Sequence, residues 1–141
     1  MKSYPEAIQV YRNALDNNPR FWFAANNLAF LLSENATSPT ELEKALKMAQ
    51  QAQQYRPGSP QILDTLGWIY YKMGDTNRAH GFVSKALAFA PDSPILNYHM
   101  GMVLYQDGKK DQAKEKLEKS LSEKNPFYGR QVAEKTLALL K

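Results

Sequence analysis

The stretch DTLGWIYYKMGD, Asp64 to Asp75, decides how the rest of the chain is read. Leu66, Ile69 and Tyr70 recur at helical spacing and a Gly-Asp pair follows, the pattern of a helix and its stop. Gly67 stands inside that helix, where glycine costs about 1 kcal/mol relative to alanine. A helix keeps such a residue when something else requires the missing side chain.

The requirement comes from repetition. LGWIYYKMGD at 66–75 aligns with MGMVLYQDGK at 100–109, a shift of 34 residues that sets Gly67 on Gly101 and Ala79 on Ala113. Ser59-Pro60 answers Ser93-Pro94 under the same shift. Ala7, Tyr11, Ala14 and Pro19 share the spacing of Ala45, Ala49, Ala52 and Pro57, and Ala79, Val83, Ala86 and Pro91 repeat it. Ala113, Leu117, Ser120 and Asn125 follow with the last two positions changed.

On these residues the chain resembles the tetratricopeptide repeat family, whose 34-residue signature combines an L-G pair, an aromatic three positions later, spaced alanines and a closing proline. The resemblance implies an all-α, right-handed α-solenoid of antiparallel helix pairs, A and B, with glycine or alanine where each pair crosses most closely. Gly67, Gly101 and, in NNLAFLL, Ala29 fit that place. ILDTLGWIYYKMGD also looks like segments of long bacterial repeat proteins, including those associated with exopolysaccharide export and envelope protein sorting.

Helix starts are expected at Asn18-Pro19, Ser38-Pro39, Ser59-Pro60, Ser93-Pro94 and Asn125-Pro126, since proline suits the first helical turn. Ser3 with Glu6 and Ser38 with Glu41 have capping-box spacing, and Gly74 and Gly108 stand where a helix would close. The spacing predicts helices near 4–17, 19–33, 39–55, 60–73, 76–90, 94–107, 109–123 and 126–140. One domain over 1–141 follows: a B-type half-repeat at 1–20, a repeat at 22–59 with four extra residues in SENATSPT, repeats at 60–93 and 94–127, and a capping helix at 126–141. An opening on a lone B-type helix implies excision from a longer array or an unusual natural start.

Composition narrows the classes. Hydrophobic residues at 43% and charged residues at 23% suit a soluble globular protein, and the apolar runs are too short to span a bilayer. That profile fits a bacterial cytoplasm or periplasm and argues against direct membrane insertion. With no cysteine, disulfides, thiolate metal sites and cysteine nucleophiles are excluded. The net charge of +4 equals the excess of nine basic over five acidic residues in 109–141, where KKDQAKEKLEKS interleaves the signs as a solvated helix face does. No nucleic-acid partner is expected from that pattern.

The resemblance implies a concave groove lined by fixed positions of the A helices. In the first full repeat these are Phe23, Asn26, Phe30 and Ser33, with Asn27 one position along. In the second they are Gln61, Asp64, Trp68 and Tyr71, with Thr65 beside them. In the third they are Ile95, Tyr98, Met102 and Tyr105, with His99. Aromatics and methionine on such a face read either as a cleft for a peptide or partner helix, centred on Phe30, Trp68 and Met102, or as a stripe buried between neighbouring A helices. Family members that clamp a C-terminal carboxylate carry Lys or Arg at positions 2 and 6 of one repeat and Asn at positions 9 and 6 of the preceding ones; here position 2 is Phe23, Gln61 and Ile95 and position 6 is Asn27, Thr65 and His99, so only Asn27 fits and that mode is disfavoured.

No phosphate loop, nucleophile elbow or metal-ligand spacing occurs, so no enzyme activity, cofactor or metal is expected. His80 and His99 fall on different helix types with no ligand partner at helical spacing, which suggests surface or groove-edge roles. The expected function is a non-enzymatic scaffold that holds a protein or peptide partner in an aromatic-lined groove, with self-association within a larger bacterial repeat protein as the alternative.

Overall fold

The computed structural model describes residues 4–141 as eight helices joined by short turns, with no strand among those residues. They are α1 (Tyr4–Asn17), α2 (Trp22–Glu34), α3 (Pro39–Tyr55), α4 (Pro60–Lys72), α5 (Thr76–Phe89), α6 (Pro94–Gln106), α7 (Lys110–Ser120) and α8 (Arg130–Leu140). Ser3, half of the Ser3–Glu6 capping pair, lies outside the described residues.

Local chemistry sets the starts. Ser59 Oγ accepts the N–H of Ile62 at 3.4 Å and Ser93 Oγ that of Leu96 at 3.3 Å, each followed by proline in the first turn. At α3, Ser38 caps Glu41, while the Glu41 carboxylate reaches one residue further back than a capping box requires and accepts from Thr37 N–H at 3.1 Å. Helices α4 and α6 close identically. Gly74 and Gly108 adopt φ of 85° and 80°, and the N–H groups of Asp75 and Lys109 return to the carbonyls of Tyr70 and Leu104, both at 2.9 Å.

Two expected starts are corrected. Helix α2 begins at Trp22 rather than Pro19, because Asn18 closes a turn over Pro19 and Arg20: its side chain accepts from Arg20 N–H and its carbonyl from Phe21 N–H. Helix α8 begins at Arg130 rather than Pro126, behind Gly129 at φ 87°. The Arg130 guanidinium donates to the carbonyls of Glu123 and Asn125, holding the 121–129 segment as an irregular connection.

Packing follows the hairpins. The closest partners are α2 with α3, α4 with α5 and α6 with α7, and successive hairpins then stack to form a right-handed solenoid. A Cβ on Gly67 would lie 2.6 Å from Val83 Cγ2, and one on Gly101 would lie 2.7 Å from Leu117 Cδ2. Fully buried Ala29, Ala45 and Ala49 share the core at the α2–α3 crossing. Ile62 and Ile69 turn the other way and pack on the α3 alanines of the preceding hairpin.

Candidate functional site

Helices α2, α4 and α6 lie side by side on one face of the solenoid. Where their N-terminal halves meet the α5–α6 turn and Tyr128, they enclose a cleft of about 440 Å³. Eight of the sequence-derived groove residues line it: Asn26, Asn27 and Phe30 from α2, Gln61, Asp64 and Thr65 from α4, and Ile95 and His99 from α6. Phe89, Ala90, Leu96 and Tyr128 complete the apolar wall, and Phe89 is 63% exposed at its mouth.

The other seven groove residues are not part of this cleft, and Ser33 among them is buried, its hydroxyl donating to the Phe30 carbonyl. Phe23 is exposed beyond its rim, where it packs against Phe21 and Trp22. Trp68, Tyr98 and Met102 are core: they pack with Leu117, Ala133 and Leu137, and Tyr71 leans on the same cluster. Tyr105 is half-buried against Met100 and Leu104. Helix α8 and the connection before it pack on this face, with Ala133, Leu137 and Phe127 against the Trp68, Tyr98 and Met102 cluster. Phe127 lies against Tyr98 at 6.1 Å, and the Tyr98 ring occupies the space that a side chain at position 129 would need.

The expectation that His99 sits at a surface or groove edge is corrected. His99 is 1% exposed and its Nδ1 lies 2.7 Å from Asp64 Oδ1. A carboxylate only accepts, so Nδ1 carries the proton of this bond. The partner comes from 35 residues away, through helix stacking, which local spacing does not reveal. The imidazole stacks on Trp68 at 4.0 Å, a contact that holds the dyad in place. His80 is exposed and meets only Ser84 among the described residues.

Glu34, absent from the sequence-derived set, organises the far side of the same face. Its carboxylate accepts from Trp68 Nε1 at 2.7 Å, pairs with Lys72 Nζ at 3.3 Å and takes a hydrogen bond from the Tyr128 hydroxyl. Burial first, and the Glu34 charge second, push the Tyr71 and Tyr98 phenols up; at Tyr128 burial again leads, followed by the hydrogen bond to Glu34. Tyr128 also meets Phe30 edge-on at 5.3 Å. The one signal available for these residues was Phe127-Tyr128 standing as an aromatic pair within the otherwise polar SEKNPFYGR.

Among the described residues no group of three or more His, Cys, Asp or Glu side chains is placed to hold a metal ion, and no helix is long and apolar enough to cross a membrane. Chemically, the cleft joins apolar side chains to the polar groups of Asn26, Asn27, Gln61, Asp64, Thr65 and His99, and its lining includes no lysine or arginine.

Residues 96–123 match the tetratricopeptide repeat family. A TPR repeat-containing protein of Pseudomonas aeruginosa is 30% identical over 90 residues, which are 64% of this chain and 15% of that protein; the chain thus spans a small part of its relative. A thermophilic TPR protein of Thermus thermophilus superposes with a TM-score of 0.75 at 19% identity, over 93% of this chain and 71% of the other. YrrB, described as a TPR protein with an unusual peptide-binding site, superposes with a TM-score of 0.68 at 21% identity, over 92% and 63%. MamA gives 0.68 at 20% identity, over 97% and 71%.

Proposed function

From a chain that carries tetratricopeptide repeats and folds as their solenoid, we propose a non-enzymatic scaffold that holds a peptide or helix of a protein partner against the face of α2, α4 and α6. The observation that carries this reading is the cleft of about 440 Å³. It falls within the range of roughly 300–1,000 Å³ occupied by ligand sites, and it joins an apolar mouth to a few convergent polar groups as such sites do. The peptide-binding description of YrrB gives the same fold a precedent for this use.

Affinity should be modest. Half-covering three rings, Phe30, Phe89 and Tyr128, removes on the order of 75–125 Å² each, or about 6–9 kcal/mol gross at ~25 cal/mol/Å². Association itself costs roughly 4–15 kcal/mol. Peptides selected by phage display and titrated calorimetrically should bind the native protein and lose at least ~10-fold in affinity to Ile95→Arg, which places a guanidinium in the half-buried wall. Unchanged affinity, or no enriched peptide at all, would refute the assignment.

Self-association is the second reading, favoured by one observation. Helix α1 buries none of its residues, and Val10 on it is among the most exposed apolar side chains. Light scattering over a concentration range should then show mass rising with concentration; a constant monomer mass would eliminate it.

A further inference from the structure

Three polar side chains, Asp64, Asn26 and His99, stand together in the lining of the cleft, which includes no lysine or arginine. Asp64 lies 13% exposed, and its Oδ1 is already engaged by His99 Nδ1. Asp64 is the one carboxylate side chain in the lining of the cleft. His99 Nε2 and Asn26 Oδ1, on side chains 1% and 4% exposed, have no hydrogen-bond partner among the described residues. Buried polar groups left without partners are energetically unfavourable, and a ligand supplying N–H groups would relieve the Asn26 oxygen. The rings of Phe30, Phe89 and Tyr128 line the same cleft.

A carboxylate, an amide oxygen without a donor and aromatic walls together favour a cation rich in donors. An arginine side chain meets that description best: its guanidinium carries five N–H groups and no acceptor, stacks on aromatic rings, and is less strongly hydrated than an ammonium. An acidic or C-terminal carboxylate ligand would meet Asp64 with no lysine or arginine in the lining to offset the repulsion. We propose that the cleft between α2, α4 and α6 is a receptor for a basic side chain of the partner peptide, arginine ahead of lysine. This rests on the reading of the same face as the binding surface, and it adds the chemistry of the residue that is held there.

The test is an amide NMR titration of the whole chain with four blocked tripeptides, acetyl-Gly-X-Gly-amide, where X is arginine, lysine, norleucine or glutamate. The arginine peptide should shift the amides of Asn27, Thr65 and Ile95 and bind at least ~5-fold more tightly than the norleucine peptide, with the glutamate peptide weakest. Its affinity should fall with added salt, since an exposed charge contact is screened. Asp64→Asn should abolish the preference for arginine over norleucine. Because that change also alters the bond to His99, Phe89→Ala serves beside it: this ring is largely exposed, and its loss should weaken the arginine peptide ~2–5-fold at unchanged melting temperature. Equal binding of arginine and norleucine, or salt-independent binding, would overturn the inference while leaving a neutral peptide site in place. No shift at the cleft with any of the four would overturn it as well, and the phage-selected peptides would then decide separately whether the face binds at all.

Discussion

Gly67 and Gly81 both sit inside helices, yet a methyl group would act in opposite directions at the two. At Gly67 it would press on Val83 across the α4–α5 crossing, whereas nothing lies within 4 Å of a Cβ on Gly81. Gly67→Ala should therefore destabilise by about 1–3 kcal/mol through overpacking. Gly81→Ala should stabilise by about 0.5–1 kcal/mol through helix propensity alone. Urea unfolding of the two variants distinguishes them by sign. The need for Gly67 was legible because Gly101 repeats it one period on; no periodic partner marks Gly81, and the structure gives it no neighbour. Trp68 shows what periodicity could not decide. Its position matches a groove residue of the repeat, but the ring is 3% exposed among His99, Tyr71 and Tyr98. Trp68→Ala should cost about 3–5 kcal/mol, read as a lower denaturant midpoint, where a surface ring would have cost far less.

Helix starts divide by the residue before proline. Ser38, Ser59 and Ser93 place a hydroxyl on the backbone N–H three residues on, and their helices begin where the sequence indicates. Ser59→Ala and Ser93→Ala should each remove about 1 kcal/mol, measurable by thermal melts. Asn18 and Asn125 precede proline as well, but their polar groups are spent on turns, the first on Arg20 and Phe21, the second on Glu123 and Arg130. Asparagine competes for local backbone bonds in this way more readily than it announces a helix. Helix α8 depends on the turn that results. Gly129 has a left-handed φ and the Tyr98 ring against it, so Gly129→Ala is strained twice over. That substitution should undock α8 and expose Trp68, seen as a red shift of tryptophan emission.

At the scale of the molecule, the repeat and its stacking were legible from two aligned segments and a set of spaced alanines, because each hairpin imposes the same crossing requirement. The shape of the cleft was not. It depends on the 121–129 connection folding back onto α2 and α6, and on Asp64 meeting a histidine one repeat away, and neither is periodic in sequence. The same fold-back gives an alkaline signature. Burial and Glu34 hold the Tyr98 and Tyr128 phenols above their ordinary value of 10.0, so the folded chain keeps protons that the unfolded chain would release. Their contribution is complete below pH 10 and is lost as pH rises beyond it, so stability should fall on the alkaline side. In Tyr128→Phe that fall should be shallower, as followed by denaturant midpoints at successive pH values. The most direct test of the whole account is a map of amide shifts on adding a phage-selected peptide. The account predicts changes concentrated at Asn27, Phe30, Thr65 and Ile95 on the α2, α4 and α6 face. Changes confined to the α3, α5 and α7 side of the solenoid would contradict it.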